Sequence, residues 1–519
     1  MNAAQYYAIA SACDRLLKHP EAPFEWISNP FLHVNNQHPA ILDRYERVVS
    51  RLESGQECDV ASLERERIPG LASSLVRGGV HVARARLSSG LVRIGPKLRT
   101  DPVDVLLVSW LVNAAHLPND DDFYFGDLQR RLTDRGLTSL LVLRNQTGLP
   151  TASLVGQALR NDGPCKRLLL PESSGVPEEL TFLPRCATAR TQLIRVAQQS
   201  SSLVDRLIAQ EAIHQTFSKD VLANLRLEAQ IAALCRQAQP KTLITLYEGH
   251  AWERCVWRGA RRGWSPVLCV AYQHSVLWKY SHAVKRSIGS SLDCDPDLIL
   301  TLGDVTRQAL DESQELDGIP TMTFGTHRRE ADAPQVDAPT RLDKVLVLPD
   351  GTEVEAVYLV EFALQCARLL KDVRFVFRTH PILSFDAIRA KVQVDSDLPN
   401  VEVTRNARIE DDFASTGSLL YRGSSTVLYA VMAGLKPYYV ARPGELNTDP
   451  LYGLSDWRER VDTVDSLAAS YNARRYNREN DETTEWLRAK DFCDRYVQPT
   501  RVDALDDMLA LAGLGEVRS

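Results

Sequence analysis

The chain has 519 residues, which at roughly 100–200 residues per domain allows two to four domains. Its residues are 44% hydrophobic and 25% charged, the proportions of a folded globular protein, so collagen-like, disordered and disulfide-scaffold classes are excluded. The 61 Lys and Arg are outnumbered by 67 Asp and Glu, giving a net charge of −6; a nucleic-acid binder working by bulk positive charge is excluded, and any anionic ligand needs a local site.

Residues 1–100 show apolar residues at three- and four-residue steps among Arg and Glu, which predicts a helical N-terminal extension. The first 26 residues lack a basic stretch followed by an unbroken apolar one, so a cytoplasmic protein is expected. Ten scattered cysteines without a C-x-x-C pair predict reduced, mostly buried thiols and no zinc site. After Asp101-Pro102 short apolar runs alternate with helical patterns: Val103–Val112, Leu137–Leu143, Thr242–Tyr247, Pro266–Tyr272 and Leu298–Leu302 read as strands. A long amphipathic helical stretch fills Arg190–Gln239. That pattern predicts a Rossmann-like domain over 101–325 with a parallel sheet.

A polar, Pro-bearing linker follows Phe324, and 326–455 repeats the β/α texture. Here the strands are expected at Val345–Leu348, Arg374–Arg378, Val401–Thr404, Leu419–Tyr421 and Pro437–Val440, with helices at Glu353–Leu370 and Ser425–Ala433. Residues 456–519 read as helices packing back on the first domain. The fold class is therefore α/β, two Rossmann-like domains facing a cleft with added terminal helices. Two sheets facing one crevice place two ligands together, which suits group transfer.

Five strand ends carry the chemistry. Glu248-Gly249-His250 closes the first, where a carboxylate beside a ligand-accessible glycine suits a general base; capping of the next helix is the structural alternative for Glu248 and the preferred reading for Glu253. Gln273-His274 closes the next, with side chains able to hydrogen-bond a sugar or phosphate, or to sit satisfied in the core. In the second domain, Arg378 and His380-Pro381 offer donors for a phosphate, the proline holding His380 extended. Arg422-Gly423-Ser424-Ser425-Thr426 joins hydroxyls and backbone N–H groups at a strand-to-helix turn, suited to a phosphate or to simple capping. Glu445 is placed to accept ribose hydroxyls, while Asn447 and Asp449 read as turn formers. Acid pairs at Asp120–Asp122, Asp293–Asp297 and Asp395–Asp397 read as turns, so no metal is expected.

In this order the segments resemble bacterial GT-B glycosyltransferases that use CMP-activated sugars: surface-polysaccharide and capsule Kdo transferases, and the related sialyl- and polysialyltransferases. The resemblance covers about 240–455 and rests on Glu248-Gly249, His380-Pro381 and Ser424-Ser425-Thr426. Tyr247 departs from it, standing where the family's acidic-acidic-Gly motif has its first acid. The resemblance implies transfer of Kdo or another nonulosonic acid from its CMP form to a bacterial cell-surface glycan. It implies that His380 and the Ser424-Ser425-Thr426 hydroxyls hold the CMP phosphate and that an acid activates the acceptor hydroxyl; joined to the strand-end reading, this gives Glu248 and His380 as catalytic and Arg378, His380, Arg422, Gly423, Ser424, Ser425, Thr426 and Glu445 as donor-binding residues. The acceptor side falls to Gly249, His250, Gln273 and His274. It implies no cofactor beyond the CMP-sugar, no nucleic-acid partner and an acceptor that is lipid-linked in some of these families. Peripheral attachment to the inner membrane face is the matching expectation, with Arg258–Gly263 and His327–Arg329 as basic clusters. A CDP-glycerol or CDP-ribitol polyol-phosphate transferase and a catalytically silent GT-B scaffold are the alternatives.

Overall fold

The computed structural model describes residues 1–56, 69–89, 101–158, 165–289, 292–329, 343–380, 382–394, 397–476 and 482–515. Pro381, Asp395, Cys58 and most of the interdomain linker, each read from the sequence above, lie outside the described residues.

Two all-parallel sheets organise the chain. The first contains β1 (Val105–Leu111), β2 (Ser139–Asn145), β3 (Lys166–Leu169), β4 (Thr242–Leu246), β5 (Leu268–Gln273), β6 (Leu298–Thr301) and β7 (Thr321–Thr323), in the order β3-β2-β1-β4-β5-β6-β7. The second contains β8 (Lys344–Leu348), β9 (Arg374–Phe377), β10 (Val401–Val403), β11 (Ser418–Tyr421), β12 (Lys436–Val440) and β13 (Glu459–Val461), in the order β10-β9-β8-β11-β12-β13. Both are doubly wound, and their strand order reverses between β1 and β4 and between β8 and β11. This is a GT-B architecture. The central strands are nearly continuous apolar runs because helices cover both faces, as in VLLVSWL of β1 and TLITL of β4.

Three strands escape the sequence pattern. β3 and β7 have only four and three residues, and β13 lies at 459–461, beyond the 455 boundary. The helix Val464–Tyr476 also packs on the second domain, with Leu467, Ala468 and Tyr471 in its core beside Leu359 and Ala363. Of the terminal helices, Val502–Leu511 buries Ala504, Leu505, Met508 and Leu509 in the first-domain core, while Trp486, Ala489 and Cys493 of Glu482–Tyr496 pack against the second sheet's helix Thr426–Met432.

The N-terminal helices share a core with the central ones. Helix Ala3–Leu17 and the turn Phe24–Ile27 bury Tyr6, Ile9, Leu16, Trp26 and Ile27 against Phe182, Leu193, Ile208 and Leu225. The expected helical stretch at 190–239 is divided among Val176–Gln199, Leu203–Gln215 and Lys219–Ala238; Ser202 and Ser218 cap the last two by accepting from Asp205 N–H and Val221 N–H. Nine described cysteines are unpaired and eight of them are buried. Among the described residues no helix is long and apolar enough to cross a membrane.

Candidate active site

The first sheet's reversal point is built around the loop Glu248–His250, between β4 and helix Ala251–Gly263. Glu253, fully buried, accepts hydrogen bonds from the N–H groups of Glu248 (2.8 Å), Gly249 (2.9 Å) and His250 (2.9 Å). Burial pushes its carboxyl well above the ordinary value, while these donors and Arg254 pull it back. Glu253 is thus the structural acid of the pair. Glu248 is free to face the cleft, with 26% of its side chain exposed. Gly249 has φ +83°, and a side chain there would come within 2.8 Å of Ala283. The glycine is required by the left-handed turn and by this packing, which corrects the expectation that it admits a ligand to the backbone. Tyr247, in the departing position of the motif, is buried with its hydroxyl donating toward the Ala283 and Val284 carbonyls, both at 3.3 Å.

Two imidazoles flank the Glu248 carboxylate. His250 Nε2 lies 3.3 Å from Oε2 and His274 Nε2 lies 3.3 Å from Oε1, the latter without hydrogen-bond alignment. Burial works to raise the Glu248 carboxyl, but the His250 hydrogen bond, the two nearby rings and Ser275 outweigh it and bring it down to about 2. Burial lowers His274 to about 4 against the opposing pull of Glu248, so His274 is neutral at neutral pH. Its ring packs edge-on to Tyr124 at 4.7 Å. Gln273 does not serve an acceptor: its Nε2 donates to the Ser275 carbonyl and its Oε1 lies 3.5 Å from Leu302 N–H, so the amide is occupied inside the protein.

The second sheet's reversal point is arranged differently. Arg378 turns away from the cleft, donating to Asp412 and to the carbonyls of Asn406 (3.1 Å) and Ala407 (3.2 Å), which ties down the loop after β10. Arg422 is 1% exposed; it pairs with Glu355 and Glu445 and donates to the Val440 carbonyl at 2.9 Å. Glu445 also accepts from Arg442 at 2.8 Å. These contacts correct the expectation that Arg378, Arg422 and Glu445 face a nucleotide: each is already committed to an ion pair, and Arg422 and Glu355, both buried, hold each other because desolvation of either alone would be too costly.

Gly423 and Ser425 face the cleft, with Ser424 and Thr426 in the same strand-to-helix turn and His380 beside the loop after β8. A side chain at Gly351 would meet the His380 ring at 3.3 Å, so the ring stands over the loop after β8. His380 Nδ1 accepts from Ile382 N–H at 3.4 Å, which leaves the ring proton on Nε2. Partial burial holds this imidazole below its ordinary value, with Asp350 pulling the other way. Gly423 takes φ +70°, and Asp350 Oδ2 lies 3.0 Å from where its side chain would begin. Ser424 Oγ accepts from Thr426 N–H at 3.4 Å, whereas Ser425 makes no capping bond and is exposed.

One cavity of about 230 Å³ joins the two reversal points: Glu248, Tyr247, Gln273 and Ser275 line it from the first domain, Gly423 and Ser425 from the second. Asn36, from the segment after the N-terminal turns, lines it as well. The sequence pattern does not single out this third wall. Asn35 Nδ2 donates to His250 Nδ1 (3.0 Å), Gln37 Nε2 to the Asn447 carbonyl (2.6 Å), and His38 Nε2 lies 2.9 Å from Asp350 Oδ2. Asp350 had a legible signal, since Asp-Gly-Thr follows the apolar β8 run and precedes a helix. Asn35 had none, because its partner lies 215 residues away.

The other charged motifs are committed elsewhere. Asp122 Oδ1 accepts from Ser109 Oγ and from the N–H groups of Tyr124 and Phe125, and Asp295 and Asp297 pair with Arg254 and Arg261, so these acids hold turns and ion pairs. In the basic cluster, Arg258 and Arg262 pair with Glu228. Arg329 pairs with Asp494, and Arg328 lies 4.5 Å over the Phe123 ring.

No protein-family model and no curated protein matches this chain. Among solved structures it is similar to CalG4, the calicheamicin glycosyltransferase, with a TM-score of 0.44 and 14% identity over 81% of this chain and 100% of that one. The MurG of Acinetobacter baumannii has a TM-score of 0.43 and 10% identity over 79% of this chain and 99% of that one. The UDP-GlcNAc 2-epimerase of Neisseria meningitidis has a TM-score of 0.42 and 10% identity, again over 79% and 99%.

Proposed function

We propose that the protein is a glycosyltransferase that moves Kdo or a related nonulosonic acid from its CMP-activated form to a hydroxyl of a bacterial cell-surface glycan. The observation that carries this reading is the shared cavity: an ionised, cleft-facing carboxylate at one sheet's reversal point and a hydroxyl-bearing turn at the other. Ligands of open α/β sheets sit at such points. The acceptor lies on the first-domain side, and its hydroxyl gives its proton to Glu248 as the new glycosidic bond forms. Oε1 is the oxygen positioned for this, since Oε2 faces the His250 ring whereas the His274 nitrogen beside Oε1 is not aligned for a hydrogen bond; Ser275 is a further donor to the carboxylate.

The donor's CMP lies on the second-domain side. As the bond from the anomeric carbon to the phosphate oxygen breaks, the leaving phosphate gains charge. His380 Nε2–H, the Ser424 and Ser425 hydroxyls and the N–H groups of the turn supply donors for it. With Arg378 and Arg422 held in ion pairs, recognition is by neutral donors of the turn and His380 rather than by these cations.

Isothermal titration of the whole protein with CMP and with CDP tests the donor class. Saturable CMP binding that weakens on Ser425→Ala is expected; tight CDP binding with negligible CMP binding overturns the reading in favour of a polyol-phosphate transferase.

A further inference from the structure

Asn35 is 1% exposed, and its amide orientation follows from its neighbours. Nδ2 lies 3.4 Å from the Glu248 carbonyl oxygen and 3.0 Å from His250 Nδ1. Reversing the amide would set its own oxygen against that carbonyl, so the NH2 end must face both groups. His250 Nδ1 therefore accepts, and the ring's proton sits on Nε2, facing Glu248 Oε2 at 3.3 Å. The His250 ring is further held by Trp110 at 5.6 Å between centroids.

We propose that Asn35, carried in from the N-terminal segment, is a positioning residue of the transfer site: by holding His250 in the Nε2–H form it directs that proton onto Glu248 Oε2 and leaves Oε1 to receive the acceptor proton. The order is that of an orienting group acting on an imidazole that acts on the reacting group. His250 has both nitrogens engaged, so it is not itself the base. The same segment reaches the second domain through Gln37 and His38, so Asn35 is anchored on both sides of the cleft.

The kinetic consequence rests on the proposed transfer reaction; the tautomer does not. Long-range 15N–1H correlation spectra of the full chain labelled at histidine nitrogen, with the His250 signals assigned by their loss in His250→Gln, read the proton position directly. Unprotonated Nδ1 and protonated Nε2 are expected in the wild type, and a mixture of both neutral forms in Asn35→Leu. A wild-type Nδ1–H form, or an Asn35→Leu spectrum unchanged from wild type, overturns the inference without requiring any variant to be active. In turnover, Asn35→Leu is expected to lower kcat by roughly 10–100-fold with little change in KM for the CMP-sugar. Asn35→Asp, which offers an acceptor instead of a donor, is expected to place a proton on Nδ1 and to fail to restore kcat. If the tautomer responds as expected while no CMP-sugar is turned over by the wild type, the donor assignment falls and the hydrogen-bond relay stands. Full kcat in Asn35→Leu with an altered tautomer overturns the positioning role.

Discussion

The two reversal points share a strand order and differ in what their charges do. At the end of β4 the buried acid, Glu253, is neutralised by backbone N–H groups, which leaves a second acid, Glu248, exposed to the cleft between two imidazoles. At the ends of β9 and β11 the strong charges are already paired: Arg378 binds the buried Asp412, and the buried Arg422 binds Glu355 and Glu445. A strand-end charge becomes available to a ligand only when another group completes the local structure for it. The first domain meets that condition and offers a carboxylate; the second uses its ions as scaffold and offers hydroxyls, N–H groups and a histidine.

The largest expected effect lies on the first side. Glu248→Gln should lower turnover by about 10²–10⁴-fold, as expected for loss of a general base, while CMP affinity measured by titration stays unchanged. Near-normal turnover would move the base elsewhere. On the second side, Arg422→Leu leaves the buried Glu355 with the more distant Arg442, at 3.9 Å, as its counter-charge and should cost about 3–5 kcal/mol in urea-induced unfolding. A cost below about 1 kcal/mol would mean that the arginine is held as weakly as a surface ion pair and is open to a ligand after all.

Acid should separate the two sides next. His274 has a folded-state value near 4, below its ordinary 6.5, so unfolding takes up a proton and stability falls as pH drops from 6.5 to 4. Glu248, lowered from 4.5 to about 2, extends the loss from pH 4.5 downward. The first window is worth roughly 2–3 kcal/mol by proton linkage. Unfolding midpoints measured between pH 7 and 4 should fall less steeply in His274→Gln than in the wild type, with the residual slope carried by buried groups such as His33. The smallest effect is expected at Ser425, which makes no capping bond. Ser425→Ala should leave the melting temperature within about 1 °C and weaken CMP binding by about fivefold, the worth of one hydrogen bond.

Much of the frame is legible in the residues. Nearly continuous apolar runs such as TLITL and KVLVL mark central parallel strands, because strands covered on both faces lack the alternating polar positions of a half-exposed sheet. β3, β7 and β13 read KRLL, TMT and ERV and carry no such run. Strand ends with Glu248 and Gly423-Ser424-Ser425 are legible for the same topological reason, and the structure brings Glu248, Gly423 and Ser425 to one cavity. Arg378, Arg422 and Gln273 read as ligand donors only while their partners are unknown. Asp412 lies 34 residues from Arg378 and Glu355 lies 67 from Arg422, so local pattern does not reveal the pairing.

Periodicity and punctuation are local, and they alone determined the α/β class, the two domains and which loops stand at strand ends. The tertiary structure decided which of two nearby acids is buried, which arginines are neutralised, and that an N-terminal asparagine completes a site more than two hundred residues away. Those outcomes depend on desolvation and hydrogen-bond partners, which exist only once distant segments are packed together.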